Sequence, residues 1–319
     1  MIATRDGRLP LLRDALYSVA ALTHAAVRAV VVVQSADPAH PGRVGELTRH
    51  LRGLVETRVV VVEDAGRTRG HLLNAGLDAA GGEFVCVLDD GDVLYPQFAA
   101  VLIGELTARP QLSAACGATV RCSGRLTAHG FVAEHKATWA PEPLDRIRLL
   151  LDGPLQPLAA VYRRADLAGA GIRFDESLEA LEEWELLRRL CRRHEVASVP
   201  HPVAELRSAR GAAGVAAEVE AVRERARAAI LERAAGETLV LTEAELRTLA
   251  SAAERERQAL AAETARAAAL AAELAAARLQ LDSLRTSPVL RAYRGLRRTG
   301  LHRPLRAVYR LIQPRPADR

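Results

Sequence analysis

Apolar residues recur at three- and four-residue spacing from Leu9 to Leu22, and the pattern then changes to an unbroken, mostly β-branched run from Ala29 to Val33. The first predicts an amphipathic helix, the second a strand buried on both faces. The alternation continues with a helix over Arg43 to Val55, a strand over Arg58 to Val62, a helix over Gly70 to Ala80, a strand over Glu83 to Leu88 and a helix from Pro96 to Ala108. Proline suits the first turn of that last helix. Strands separated by helices of this length require right-handed parallel crossovers, hence an open α/β sheet with helices on both faces. Such sheets bind ligands beyond the carboxyl ends of their strands. Only Met1, Ile2 and Ala3 are available for a strand ahead of the first helix, so either that strand is very short or the chain starts further upstream.

Further on, Ala114 to Arg121 and Arg125 to Val132 read as strands around a hairpin turn at Cys122, Ser123 and Gly124, which makes the sheet mixed. A strand from Leu158 to Tyr162, a helix from Leu178 to His194 and a short strand from Glu195 to Val199 complete a domain over residues 1–210. After Gly211 the chain becomes rich in Ala, Glu, Arg and Leu, the composition of a long helix. Residues 211–286 are therefore expected to form a helical arm. Within it Leu246, Leu249, Ala253, Glu256, Leu260, Glu263, Ala267, Leu270, Leu274, Ala277, Leu281 and Leu284 keep the three-four spacing of a coiled-coil seam. A homodimer or a partner helix through residues 240–286 follows, against the alternative of a solvent-exposed single helix.

Composition adds a tail to this picture. The net charge of +5 rests almost wholly on arginine, Lys136 being the sole lysine, and much of the excess falls in residues 287–319. There Arg291, Arg294, Arg297, Arg298, Arg303, Arg306 and Arg310 interleave with Leu290, Tyr293, Leu296, Leu301, Leu305 and Ile312. A basic amphipathic segment of this kind can rest on a membrane surface, each basic residue near anionic headgroups contributing about 1 kcal/mol. A helix packed on the domain, or a solvated tail, is the other reading. No nucleic acid is expected, because no recognition module or stacking aromatics accompany the charge. Cys86, Cys116, Cys122 and Cys191 show neither metal spacing nor disulfide density, and no apolar run is long enough to span a bilayer. The expected location is cytoplasmic, at the inner face of the membrane.

The chemistry concentrates between Arg69 and Pro96. The strand Glu83 to Leu88 ends in Asp89, Asp90, Gly91 and Asp92, where an α/β sheet receives its ligand. Carboxylates bunched there repel one another, which favours Mg2+ or Mn2+ held by oxygen ligands and a diphosphate. The plainer reading is a turn leading into a helix, where acids are favoured by the helix dipole.

Thr4-Arg5, Arg69 with Asn74-Ala75-Gly76, Gly82-Glu83 leading to Leu88-Asp89-Asp90-Gly91-Asp92, Phe174-Asp175-Glu176-Ser177 and Glu182-Glu183-Trp184 follow one another in this order. The set resembles the family-2 glycosyltransferases of GT-A fold over roughly the first two-thirds of the chain. That resemblance implies an inverting transfer of a sugar from a nucleotide-diphosphate donor to a glycan or lipid-linked acceptor, in bacterial surface polysaccharide synthesis. It further implies nucleotide-sugar binding by Thr4, Arg5, Arg69, Asn74, Asp89 and Asp90, a divalent metal on Asp90 and Asp92, and Glu183 as the base that takes the acceptor's proton. Trp184 would wall the sugar or acceptor, and His201 or Arg207 would approach the diphosphate.

The chain departs from the family at three places. Gly91 stands where the family has its metal-binding aspartate, Glu183 where it has the aspartate base, and Gln34-Ser35 where an acidic residue usually reads the nucleotide base. These departures motivate the alternative of a glycosyltransferase-like binding or scaffold protein without turnover. On residue types alone, Asn74 also serves helix packing, Trp184 a core and His201 a structural role.

Overall fold

The computed structural model describes residues 1–138 except 6, 25, 64 and 65, with 146–151, 159–209, 213–286, 288 and 291. It divides into two compact units, Met1–Val240 and Leu241–Arg319.

In the first unit β1 (Ile2–Thr4), β2 (Arg28–Gln34) and β3 (Glu56–Val62) alternate with α1 (Leu9–Ala20), α2 (His40–His50) and α3 (Arg69–Ala79). The next strands are β4 (Phe84–Cys86), β5 (Leu88–Asp89) and β6 (Val93–Leu94), followed by α4 (Phe98–Ala108). Beyond them come β7 (Leu112–Thr127), β8 (Gly130–Thr138), α5 (Arg146–Leu151), β9 (Ala159–Arg163), α6 (Arg164–Gly169), α7 (Glu182–Cys191), β10 (Glu195–Ala209) and α8 (Ala213–Ala234). One sheet is parallel, in the order β3-β2-β1-β5. The other is mixed, in the order β4-β9-β7-β10-β6, with β8 paired to β7. Only Val87 separates β4 from β5, so a single stretch of chain feeds both sheets.

Alternation explains how both faces are covered. Ala29, Val31 and Val33 of β2, with Ala159 and Val161 of β9, face a core shared with α1, α2 and α4. Val30 and Val32 face Leu72 of α3, while Ala160 and Tyr162 face a core built with α7. The expected α/β class, an open mixed arrangement with helices on both faces, is what the chain adopts. Its first strand is the three-residue β1, and it sits centrally between β2 and β5. Leu88 N–H donates to Met1 O at 3.0 Å, and the Met1 amino group donates to Cys86 O at 2.7 Å.

Several elements differ from expectation for physical reasons. The hairpin turns at Ala128-His129, not at Cys122-Ser-Gly124, which lies inside β7. Gly124 is there because a Cβ would meet Val132 O at 2.1 Å, at a shift of register beside Ser123. Glycine in mid-strand often marks such a close backbone approach. β10 continues through Pro200 and Pro202 to Ala209, well past Val199, by breaking register on each side of Pro202. The helix expected from Leu178 starts only at Glu182, because Leu181 adopts a left-handed backbone with φ 66°. The helix expected from Pro96 starts at Phe98.

The arm expected from residue 211 is divided. α8 packs on the first unit, burying Ala226 and Ile230 in the core with α7, while Glu237 beyond it takes Arg188 at 2.9 Å and Arg192 at 3.1 Å. In the second unit α9 (Glu243–Thr286) is one helix of 44 residues, about 66 Å at 1.5 Å per residue. Thr242 and Glu245 form a capping box: Thr242 N–H donates to Glu245 Oε2 at 2.7 Å, and Glu245 N–H to Thr242 Oγ1 at 3.2 Å. Its leucines 246, 260, 270, 274 and 281 are exposed. No described helix is long and apolar enough to cross a membrane. The arginine-rich tail, apart from residues 288 and 291, lies outside the described residues.

Packing of α8 is testable. Ile230→Ala should cost about 2–4 kcal/mol in denaturant unfolding of the whole chain, as expected for truncating a fully buried isoleucine. A helix that merely extended into solvent would show no change.

Candidate functional site

The carboxyl ends of β1 and β5 lie side by side, and beyond them opens a pocket of about 650 Å³. Small-molecule sites typically occupy about 300–1,000 Å³. Ala3, Arg5 and Arg8 line it from the β1–α1 connection, Thr68, Arg69 and Leu72 from α3 and its cap, and Asp89 and Asp90 from the end of β5. Leu178 and Glu179 precede α7, and Val222 and Arg225 belong to α8.

Arg69 is the centre of the charge arrangement. Its Nη2 donates to Asp89 Oδ1 and to Glu183 Oε1, each at 2.6 Å, and its Nη1 to Glu182 Oε2 at 3.4 Å. One guanidinium thus ties a strand end to the first turn of α7. Burial works against the Arg69 charge, but Glu183, Asp89 and Glu182 outweigh it and hold its pKa well above the usual value. Burial raises the Glu183 carboxyl above its ordinary range; Arg69 opposes this, and Asp89 and Glu182 add to it. Glu183 still has about a third of its side chain exposed, whereas Glu182 is buried.

Asp90 is held differently. Its Oδ2 accepts from buried Thr4 Oγ1 at 2.7 Å, and its Oδ1 accepts from Arg8 Nε at 2.7 Å. Burial lifts its pKa against the pull of Arg8 and Thr4. Asp92 turns toward β10, where its Oδ1 accepts the Arg207 N–H at 2.8 Å. Burial, then Asp89, push its carboxyl up to about 7, with the Arg207 bond opposing and Glu183 and Asp90 adding.

The expected ligands of Mg2+ or Mn2+ are thus each engaged by protein groups, Asp90 through both oxygens and Asp92 through Oδ1. Both oxygens of Asp90 are engaged, Arg8 already places a positive charge against it, and no group of three or more candidate ligands gathers among the described residues. The donor set as arranged does not fit the cation, because Arg8 sets a like charge against the Asp90 carboxylate that would hold it.

Two further expectations are corrected. Asn74 is buried and uses its amide inward: Nδ2 donates to Phe174 O at 3.0 Å and to Glu176 Oε1 at 2.8 Å, while Oδ1 accepts Phe174 N–H at 2.9 Å. It fastens α3 to the 174–176 segment and does not reach the pocket. Trp184 is 5% exposed and donates from Nε1 to Leu149 O at 2.8 Å, so it is core rather than a sugar wall. Its neighbour Glu183 takes the outward-facing position in that turn of α7. Thr4 touches the site through Asp90, and Arg5 lines the pocket. His201 is exposed on β10, and Arg207 pairs with Glu205 at 2.9 Å and Asp14 at 3.4 Å. Sequence reasoning missed Arg8, Glu182 and Arg225. Arg8 stands three residues after Arg5 and could have been suspected; Arg225 lies among many arginines and carried no signal.

Fold and site together define an α/β protein with a charged pocket at the carboxyl ends of adjacent parallel strands. No protein-family model matches the chain, and no curated protein matches its sequence. Among solved structures, that of Staphylococcus aureus TarS 1-349 is similar at 16% identity and a TM-score of 0.48, over 65% of this chain and 59% of that one. The same protein in complex with UDP-GlcNAc gives 17% and 0.48, over 66% and 58%. The mannosyltransferase PcManGT from Pyrobaculum calidifontis in complex with GDP-Man and Mn2+ gives 17% and 0.48, over 79% and 78%. The chain spans less than two-thirds of the TarS structures.

Two outcomes follow. Asp92 has a folded pKa near 7 against about 3.9 unfolded, so the native state binds its proton first and this group's contribution to stability falls as pH rises from about 4 to 7. Asp92→Asn should raise the unfolding free energy measured in urea at pH 8 by on the order of 1–3 kcal/mol, with little change at pH 4. Asn74→Ala, which strands the Phe174 N–H and C=O, should cost about 2–4 kcal/mol in urea unfolding at any pH between 5 and 8.

Proposed function

We propose that the chain is an inverting glycosyltransferase of the GT-A, family-2 kind, moving a sugar from a nucleotide-diphosphate donor to a glycan or lipid-linked acceptor. The observation that carries this reading is the Arg69 guanidinium, which joins Asp89 at the pocket to Glu183 on α7. Asp89, about half exposed at the pocket, has room to accept hydroxyls of a bound ribose or sugar. Arg69 holds it and Glu183 in fixed relation.

Glu183 is the base. The acceptor hydroxyl oxygen attacks the anomeric carbon, the bond from that carbon to the diphosphate oxygen breaks, and the hydroxyl proton passes to the Glu183 carboxylate. Attack opposite the leaving group inverts the anomeric centre. A carboxylate pKa raised by burial and by neighbouring acids improves a base working near neutral pH, provided its oxygen comes within about 3 Å of the acceptor. Arg69 restrains Glu183 in the required orientation, and the acceptor competes for the same oxygen.

The setting consistent with the rest of the chain is surface polysaccharide assembly in a bacterial cytoplasm. α9, with its row of exposed leucines, joins two copies or a partner helix, and the arginine-rich tail rests on anionic headgroups. Together they would raise the effective concentration of a lipid-linked acceptor at the pocket. A second reading, a binding or scaffold protein without turnover, is favoured by the engagement of both Asp90 oxygens and by the Glu183–Arg69 pair.

UDP-GlcNAc and GDP-Man are the first donors to try. Glu183→Gln should lower transfer at least about 100-fold while the donor still shifts the melting temperature as in the unaltered chain. Equal transfer by the variant would remove Glu183 as base, and donor binding without transfer by either protein would favour the scaffold. Leu260→Glu with Leu274→Glu should convert a dimer to a monomer in sedimentation without altering transfer to a soluble acceptor; an unchanged sedimentation coefficient would remove α9 as the joining surface.

A further inference from the structure

Four arginines line the pocket, and they are not equivalent. Arg69 spends its donors on three carboxylates. Arg5 meets only the Arg67 carbonyl, at 3.4 Å, and no carboxylate among the described residues. Arg8, which also lines the pocket, commits Nε to Asp90 and has Nη2 beside Gly91. Arg225 comes from α8, and its ion pair with Glu179 is long, at 3.4 Å, with both side chains about two-thirds exposed. Such pairs contribute little and are easily exchanged for a better acceptor.

We propose that the pocket takes the diphosphate of a nucleoside diphosphate directly on Arg5, Arg8 and Arg225, without a divalent cation between Asp90 and Asp92. The inference rests on the reading of this pocket as the donor site and specifies how that site handles charge. A metal on Asp90 would have to displace or face Arg8, whose Nε lies 2.7 Å from Oδ1. A guanidinium, by contrast, offers paired N–H donors matched to phosphate oxygens and stays charged at every working pH. Gly91 belongs to the same arrangement, since a Cβ there would lie 3.1 Å from Arg8 Nη2. A larger residue at that position would crowd the guanidinium set against Asp90.

α8 makes the third cation available because it is anchored immediately beyond Arg225. Ala226 and Ile230 are buried, and Arg233 pairs with Asp175 at 2.6 Å about two turns beyond Arg225. Val222 shares the pocket wall with Arg225. A helix that composition assigns to the arm thereby supplies part of the binding site.

The test is calorimetric titration of the full chain with UDP, GDP and UMP, in EDTA and in Mg2+ or Mn2+. UDP or GDP should bind in EDTA within about threefold of its affinity with metal, and at least tenfold more tightly than the corresponding measurement with UMP. Arg225→Ala and Arg5→Ala should each weaken that binding about tenfold, the expected loss of a charge-assisted hydrogen bond, with the unliganded melting temperature unchanged. Arg225→Lys, which keeps the charge but not the fork, should recover part of the loss. Diphosphate binding only in the presence of metal, or full affinity in Arg225→Ala, would overturn the arginine cradle and leave the donor-site reading standing. Absence of nucleoside diphosphate binding under every condition would overturn both.

Discussion

Three carboxylates, Asp89, Glu182 and Glu183, converge on the single guanidinium of Arg69, and the geometry of the pocket depends on that convergence. Without it the three acids would repel across a partly desolvated gap, and the cost would fall on β5 and α7 together. Arg69 can do this because α3 is held rigidly. Thr68 caps the helix and donates to Glu176 O at 2.8 Å, Asn74 grips the Phe174 backbone, and Gly70 lets the helix approach where a Cβ would stand 2.5 Å from Asp175 O. The segment 174–176 is accordingly a shared strut, bonded to α3 through Asn74 and to α8 through Arg233.

The direction of α7 is fixed by local strain. Leu181 takes a left-handed conformation costing about 1–2 kcal/mol for a residue with a Cβ, immediately before the two glutamates that Arg69 receives. Leu178, Leu186, Leu187 and Trp184 offset it by burial in the core beneath. The abrupt start of the helix places Glu182 and Glu183 in its first turn, where backbone N–H groups favour negative charge.

Much of this architecture was legible in the chain. β2 is an unbroken apolar run because both faces are buried, and the acidic residues after Leu88 fall at a strand end as their pattern implies. What escaped was set by tertiary proximity. Cys122-Ser-Gly124 has the composition of a turn, yet its glycine answers to a carbonyl on the neighbouring strand. Asn74 and Trp184 have residue types that serve a ligand or a core equally well, and only their neighbours decide. α8 and α9 share one composition, and the burial of Ala226 and Ile230, invisible in a uniform Ala-Glu-Arg-Leu pattern, separates them.

The passage of one strand through two sheets has a thermodynamic consequence for the site. β5 ends in Asp89 while β4, two residues earlier, is bonded to β9 in the other sheet, and Leu88 N–H is held by Met1 O. β4 and β5 are edge strands of their two sheets, joined through Val87, so parting either edge would draw the acidic cluster with it. Exposing the Leu88 amide requires the β1–β5 pairing to part, so the acidic cluster is tied to the integrity of that pairing and of the β4–β9 pairing beside it. Substitutions remote from the pocket that lower global stability should thus be felt in the occupancy of the intact site, whereas fluctuations of surface elements leave the spacing of its acids unchanged.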